Sequence, residues 1–239
     1  VSYQHWLKST EEVKQKDPQA SWKEIHKICG ECPWPQPVGW QSPFRPNGLH
    51  ETMIRRIAPY SLRGFLYYQG EEDVQRYADY SDMMQMLVKQ WRMDWNDWNL
   101  PFLFVQLPMY LADGEKDDSY WALQREQQYI ASMMIQNAGM ISLADCGEYD
   151  NIHPLDKKTP GERLFQLAKN LVYDKQGTIT ATAAQLFSDN GKLYVTFDHL
   201  HEKLVMQTAN GCPFEISGED NLFYPAKADV IHGNMLCIS

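Results

Sequence analysis

The sequence predicts an α/β protein, a doubly wound parallel sheet flanked by helices, followed by part of a small β domain. Three observations carry that expectation. Between residues 64 and 173 short apolar runs alternate with amphipathic helical stretches. The run Phe102-Leu103-Phe104-Val105-Gln106-Leu107 is apolar without alternation, as strands buried on both faces of a parallel sheet are. Beyond Gly177 the helical period stops, and β-prone runs separated by turn residues replace it.

Residues 1–47 read as a helical and proline-rich lead-in. Ser9 to Ile28 is polar with a few periodic apolar residues, which predicts one or two surface helices interrupted near Pro18, and Ser9 with Glu12 suggests a capping box. Pro33, Pro35, Pro37, Pro43 and Pro46 withhold backbone donors that a helix or central strand needs, so an extended loop follows. Residues 48–176 form the α/β portion. Gly64 to Gln69 is a short aromatic strand, and Arg76 to Trp95 a helix in which Tyr80, Met84, Val88 and Trp91 recur at three- and four-residue steps. After the 102–107 strand come a helix over 119–136 and a strand at Gly139 to Leu143. A last helix is expected to open at Thr159 as cap, with Pro160 first and Glu162 third, and to run to about Tyr173. Strand and helix alternating three times is the pattern of right-handed crossovers.

Residues 177–239 read as a partial β-rich domain. Ser188-Asp189-Asn190-Gly191 is a hairpin signal between two β-prone runs, 183–187 and 192–197, and strands are also expected at Phe214 to Ile216 and within 227–231. Closing the edges of such a domain takes more strands than these, so the tail is expected to expose core unless a companion polypeptide covers it.

Composition excludes several function classes. With 22 basic against 31 acidic residues the net charge is −9, and no Lys/Arg-rich run could follow a phosphate backbone, so neither nucleic acid nor an anionic membrane is expected as a partner. No apolar stretch reaches the ~20 residues needed to span a bilayer. Five cysteines without regular spacing do not form a disulfide framework, which favours a reducing, cytoplasmic setting and leaves a secreted one open. Cys29 and Cys32 match C-x-x-C, but zinc needs two more ligands and a thioredoxin-like site needs a preceding strand, so they read as incidental thiols. His199 and His201 alternate on an expected strand with nothing nearby to complete a metal site. No metal site is predicted.

Chemistry in an open parallel sheet collects beyond the carboxyl ends of the strands. Gln69-Gly70-Glu71-Glu72-Asp73 follows the aromatic strand, and a side-chain amide beside an approachable glycine N–H suits an oxyanion. A plain turn opening the next helix, with acids favoured by the helix dipole, fits the same letters. After the third strand, Asp150 and His153 lie three apart, so one loop presents a carboxylate beside an imidazole. A lone D-x-x-H pair also arises by chance.

Taken together the two loops and their surroundings resemble the sialate O-acetylesterase family, one of the SGNH-type esterases. The resemblance runs over residues 43–173. It includes Arg45-Pro46-Asn47-Gly48-Leu49-His50-Glu51-Thr52-Met53-Ile54, Gly64-Phe65-Leu66-Tyr67-Tyr68-Gln69-Gly70-Glu71-Glu72-Asp73, Trp121-Ala122-Leu123-Gln124-Arg125-Glu126-Gln127 and Asp150-Asn151-Ile152-His153-Pro154. It implies removal of acetyl groups from O-acetylated carbohydrate by a serine nucleophile without metal or organic cofactor. His153 would be the general base, Asp150 its orienting acid, Gln69 and Gly70 the oxyanion donors, and Glu71 a structural residue or second acid. The family's nucleophile sits in a Gly-Gln-Ser-Asn-type turn after the first strand, and no such turn occurs here. Its expected place lies ahead of Val1, in an amino-terminal part of the same protein, even as a separate chain. Ser42 is the minor candidate, because Gln41-Ser42 repeats two letters of the turn without a strand before it. An acetylxylan-type esterase, a non-catalytic glycan-binding protein and a zinc protein using Cys29 and Cys32 are the alternatives.

Overall fold

The computed structural model describes residues 3–33, 39–40, 42, 45–111, 120–177, 181–200, 202–206, 214–218 and 222–239. The chain divides into two compact units, Val1–Tyr60 and Ser61–Ser239.

The first unit carries α1 (Tyr3–Lys16) and α2 (Trp22–Cys29), then a π turn at His50–Ile54 that runs into the short α3 (Arg55–Ile57). Trp6 and Thr10, four apart on α1, are both buried, and the Trp6 indole N–H donates to the Gly30 carbonyl at 2.9 Å. That buried stripe carries α1 straight through Ser9, which corrects the expected capping box. Ser9 sits inside the helix with its hydroxyl donating to the His5 carbonyl. The capping box belongs to α2 instead, where Ser21 Oγ accepts from the Glu24 N–H and Glu24 accepts from the Ser21 N–H. Of the expected proline-rich loop, Pro35, Pro37 and Pro43 lie outside the described residues.

The second unit is α/β, with a parallel three-stranded sheet flanked by helices and antiparallel sheets after it. Strands β1 (Phe65–Tyr67), β2 (Phe102–Gln106) and β3 (Ala138–Ser142) lie side by side in that order. β2 is central, pairing Tyr67 with Phe104 on one side and Val105 with Ile141 on the other. Because successive side chains point to opposite faces, β2 feeds two cores. Phe102 and Phe104 pack with Tyr80, Met84 and Val88 of α4 (Tyr77–Asp94) and with Ala131 of α5 (Tyr120–Met134). Leu103 and Val105 pack with Ile141, Leu143 and Leu167 of α6 (Lys158–Leu171). A continuous apolar run was the sequence signal, and helices on both faces are its physical cause.

α6 begins at Lys158, earlier than the expected cap at Thr159. Asp156 supplies the cap, with Oδ1 accepting from the Lys158 and Thr159 N–H groups and Oδ2 from the Thr159 hydroxyl at 2.5 Å. A carboxylate one turn upstream outcompetes the hydroxyl for the free N–H groups.

After α6 come β4 (Thr182–Asp189), β5 (Lys192–Asp198), β6 (Phe214–Ser217), β7 (Phe223–Ala226), β8 (Ala228–Ile231) and β9 (Met235–Ile238). The hairpin between β4 and β5 turns on Asn190 and Gly191, at φ 49° and 75°, the positive values that a tight two-residue turn demands. One antiparallel sheet runs β4-β5-β9-β8, and β6 pairs with β7 apart from it. Tyr129 of α5 donates to the Ala183 carbonyl on β4. The expectation that His199 alternates with His201 on a strand is corrected, because β5 ends at Asp198 and His199 has φ 58°. His201 lies outside the described residues.

Candidate active site

Three loops leave the carboxyl ends of β1, β2 and β3, and contacts tie each to the next. The Lys157 ammonium, past the β3 loop, lies 5.3 Å from the ring centre of Tyr68, just past β1. The Leu111 N–H, past β2, donates to the Tyr149 carbonyl at 2.8 Å. A Cβ on Gly147 would fall 2.6 Å from the Pro108 Cβ, so these two loops touch backbone to ring. The sheet therefore gathers the loop of Gln69 and the loop of His153 at one end, as crossover topology requires.

The loop after β1 is a strained turn. Gly70 is buried at φ 145°, and a Cβ there would meet Gln128 Nε2 at 3.0 Å, Gln124 Nε2 at 3.1 Å and Leu107 Cδ1 at 3.3 Å. Only glycine meets both the dihedral and the space. Among the described residues no acceptor pairs with its N–H. Gln69, by contrast, is engaged. Its Nε2 donates to Asp73 at 2.6 Å and its Oε1 accepts from the Tyr67 hydroxyl at 3.1 Å, while the Tyr80 hydroxyl donates to its carbonyl at 2.9 Å. Glu71 opens the 3-10 turn Glu71–Arg76. Burial first, then the Asp73 and Glu71 charges, push the Tyr67 hydroxyl up to about 12. Burial also raises Tyr80, with the same acids adding to it and a Gln128 hydrogen bond opposing.

The loop after β3 is shaped by Glu148. Its Oε1 accepts from the Leu155 N–H and its Oε2 from Asn151 Nδ2, each at 2.7 Å, and the Asn151 Oδ1 accepts from the His153 N–H at 3.0 Å. Those bonds, the Leu155 one first, hold the Glu148 carboxyl below its ordinary value. Asp150 and His153 are both exposed. Among the described residues no hydrogen bond or ion pair joins Asp150 to His153, or either of them to Gln69, Gly70 or Glu71. Ser42 belongs to the first unit, where its N–H donates to the Gly39 carbonyl and its own carbonyl accepts from the Arg45 N–H. Among the described residues no three His, Cys, Asp or Glu side chains group closely enough to hold a metal ion.

Comparison with known proteins supplies the family. The family model for carbohydrate esterases of the sialic acid-specific acetylesterase type matches residues 37–170, more than half of the 239-residue chain. The chain belongs to that family. Sialate O-acetylesterase from Mus musculus is 28% identical over 196 residues, 73% of this chain and 36% of its own length. Sialate O-acetylesterase from Homo sapiens is 25% identical over 208 residues, 79% of this chain and 39% of its own length. The chain thus spans little more than a third of the curated relatives it matches. The crystal structure of a carbohydrate acetylesterase from Xanthomonas citri superposes with a TM-score of 0.70 at 30% identity, covering 78% of this chain and 43% of that one. In this member of the acetylesterase family the matched stretch takes in both loops, Gln69–Asp73 and Asp150–Pro154.

The sequence assigned no role to the two residues that lie behind the Gln69–Asp73 loop. Gln124 and Gln128 are fully buried on α5, on the stripe that continues to Ala131 and Ile135. Two glutamines at the apolar positions of a helix period were the available signal.

Proposed function

We propose that the protein is a serine-type carbohydrate O-acetylesterase that releases acetate from O-acetylated sugars, O-acetylated sialic acid first among them. The observation that carries this reading is the family match across residues 37–170, which contain both candidate loops. The superposition on a carbohydrate acetylesterase at a TM-score of 0.70 supports it.

In the proposed reaction a serine hydroxyl attacks the acetyl carbonyl carbon while His153 takes its proton. The tetrahedral oxyanion accepts hydrogen bonds from the Gly70 N–H and from Gln69 once its amide leaves Asp73, each donor contributing on the order of 3 kcal/mol. As the carbon–oxygen bond to the sugar breaks, the imidazolium returns its proton to the leaving hydroxyl. Water, deprotonated by His153, then attacks the acetyl-serine, and the imidazolium gives that proton to the serine oxygen as the acyl–oxygen bond breaks and acetate leaves. Asp150 orients the imidazole and Glu71 braces the turn or serves as a second acid. The 239 residues hold no Gly-Gln-Ser-Asn turn. The nucleophile is accordingly assigned to a segment of the protein outside these residues, with Ser42 as the alternative.

Acetylated xylan is the second substrate class, since the Xanthomonas citri neighbour is a carbohydrate acetylesterase with no sugar specified. Acetate release from O-acetylated sialic acid, acetylated xylan and p-nitrophenyl acetate, by the full-length protein that includes the nucleophile's segment and by its His153→Ala form, tests the proposal. A loss of roughly 100-fold or more in kcat is expected for the variant. Unchanged turnover refutes the assignment of the base, and no acetate from any of the three refutes the esterase reading.

A further inference from the structure

Resting on the esterase reading, we infer that Gln128 is a positioning residue, a buried carboxamide that holds the Gly70 turn in place from behind. The β1–β2 ladder ends at the pair Tyr67 and Phe104. Past that point the two strand ends are joined through Gln128 of α5. Its Oε1 accepts the Leu107 N–H at 2.9 Å, and its Nε2 donates to the Gln69 carbonyl at 3.2 Å and to the Val105 carbonyl at 3.4 Å. One amide thus substitutes for a ladder rung where the strands part, and it does so with no exposed surface.

The peptide fixed by the Gln69 carbonyl is the one whose N–H belongs to Gly70. Gln128 shares that carbonyl with the Tyr80 hydroxyl, which donates to it at 2.9 Å, and the two hydrogen bonds together set the direction of the proposed oxyanion donor. A Cβ on Gly70 would lie 3.0 Å from the same Nε2 and press on it, so the clamp and the glycine constrain one another. Gln124, one turn earlier and equally buried, has neither amide atom hydrogen-bonded among the described residues and lies as close to the Gly70 turn. It fills the space behind the turn, while Gln128 bonds it.

A buried polar side chain at the other end of the sheet separates positioning from plain stability. Arg92 is also buried and bonds the carbonyls of Leu100, Gln136 and Asn137, ahead of β2 and β3 and away from the candidate loops. Three variants of the full-length protein are compared with its wild type: Gln128→Met, Gln128→Glu and Arg92→Met. Gln128→Met is expected to lower kcat per folded molecule roughly 10-fold or more with KM within about twofold, as loss of an aligned oxyanion donor does. Arg92→Met is expected to lose thermal stability while keeping kcat within about twofold. In Gln128→Glu burial raises the carboxyl above its ordinary range. Its protonated form can donate to the Gln69 carbonyl and its ionised form cannot, so turnover relative to wild type should fall as pH rises. A residue that merely fills space gives a ratio flat in pH.

Amide hydrogen exchange decides the clamp without turnover. The Leu107 N–H should exchange roughly 10-fold faster or more in Gln128→Met. Unchanged Leu107 exchange, wild-type kcat in Gln128→Met, or a flat pH ratio in Gln128→Glu overturns the inference. Should Gln128→Met not fold, the pH ratio of Gln128→Glu decides the same question. A wild-type protein that releases no acetate overturns the esterase reading and the catalytic half of this inference, and exchange at Leu107 still judges the clamp.

Discussion

Arg163 and Asp145 meet in a two-pronged ion pair, Nη1 on Oδ1 and Nη2 on Oδ2, each at 2.6 Å. Nη1 also donates to the Ser142 carbonyl, so one guanidinium from α6 pins the end of β3 and the start of the loop that carries Asp150 and His153. The Arg163 hydrogen bonds hold the Asp145 carboxyl below its ordinary value, against the opposing effect of burial. The Asp145 side chain is 67% exposed, so solvent screens the pair and its contribution stays under about 1 kcal/mol. A depressed carboxyl stabilises the fold fully above the unfolded value of ~3.9 and loses that contribution as pH falls through the folded one. Asp145→Asn should therefore lower the urea midpoint at neutral pH, with the gap to wild type closing in acid. A gap that persists in acid assigns the loss to packing instead.

Two glycines should respond in opposite directions. Gly70→Ala forces a Cβ into the left-handed turn and against Gln128, at a cost of about 1–3 kcal/mol. Gly161, exposed on α6 with nothing within 4 Å of an added methyl group, is a plain helix position. Gly161→Ala should raise stability by about 0.5–1 kcal/mol. Denaturant titration of the two variants checks both signs.

Tyr67 predicts an alkaline limit. Its folded pKa of about 12 lies above the ordinary 10.0, so the native state holds a proton that the unfolded chain releases. That stabilisation is complete below 10.0 and declines as pH rises toward 12. Unfolding midpoints followed over this range should fall less steeply in Tyr67→Phe than in wild type. Equal slopes would place the titrating group elsewhere, with Tyr80, raised for the same reasons, the next to test.

Substitutions in the sheet should separate its buried centre from its exposed edge. Phe104 has no exposed surface, and Phe104→Ala is expected to cost about 3–5 kcal/mol. Leu66 on β1 is 65% exposed, and Leu66→Ala should stay within about 0.5 kcal/mol of wild type. Thermal melts of the pair measure the contrast.

The parallel sheet was legible because its signal is local. Phe102 to Leu107 needs both faces covered, and the periodic residues of α4 say what covers one of them. The hairpin at Asn190-Gly191 was legible for the same reason, since two positive φ values leave few residue choices. Caps were less so, because Ser9 and Thr159 have the letters of a cap but lose to the longer reach of a buried stripe and of Asp156. β7 and β9 went unread, Pro225 sitting inside one and a four-residue apolar run being the whole of the other. At the candidate site Gln69, Gly70, Asp150 and His153 stand out by type and spacing. Gln128 does not, because its partners Leu107 and Gln69 are 21 and 59 residues away and only the folded sheet brings them to it.

Strand β9 has a consequence for how the last sheet is made. Among the described residues β5 and β8 share no pairing of their own and are bridged by Met235–Ile238. On the ribosome the hairpin of residues 182–198 can form early, but residues 228–231 have no seat beside it until the bridging segment has left the exit tunnel. Completion of that sheet waits on its bridging strand.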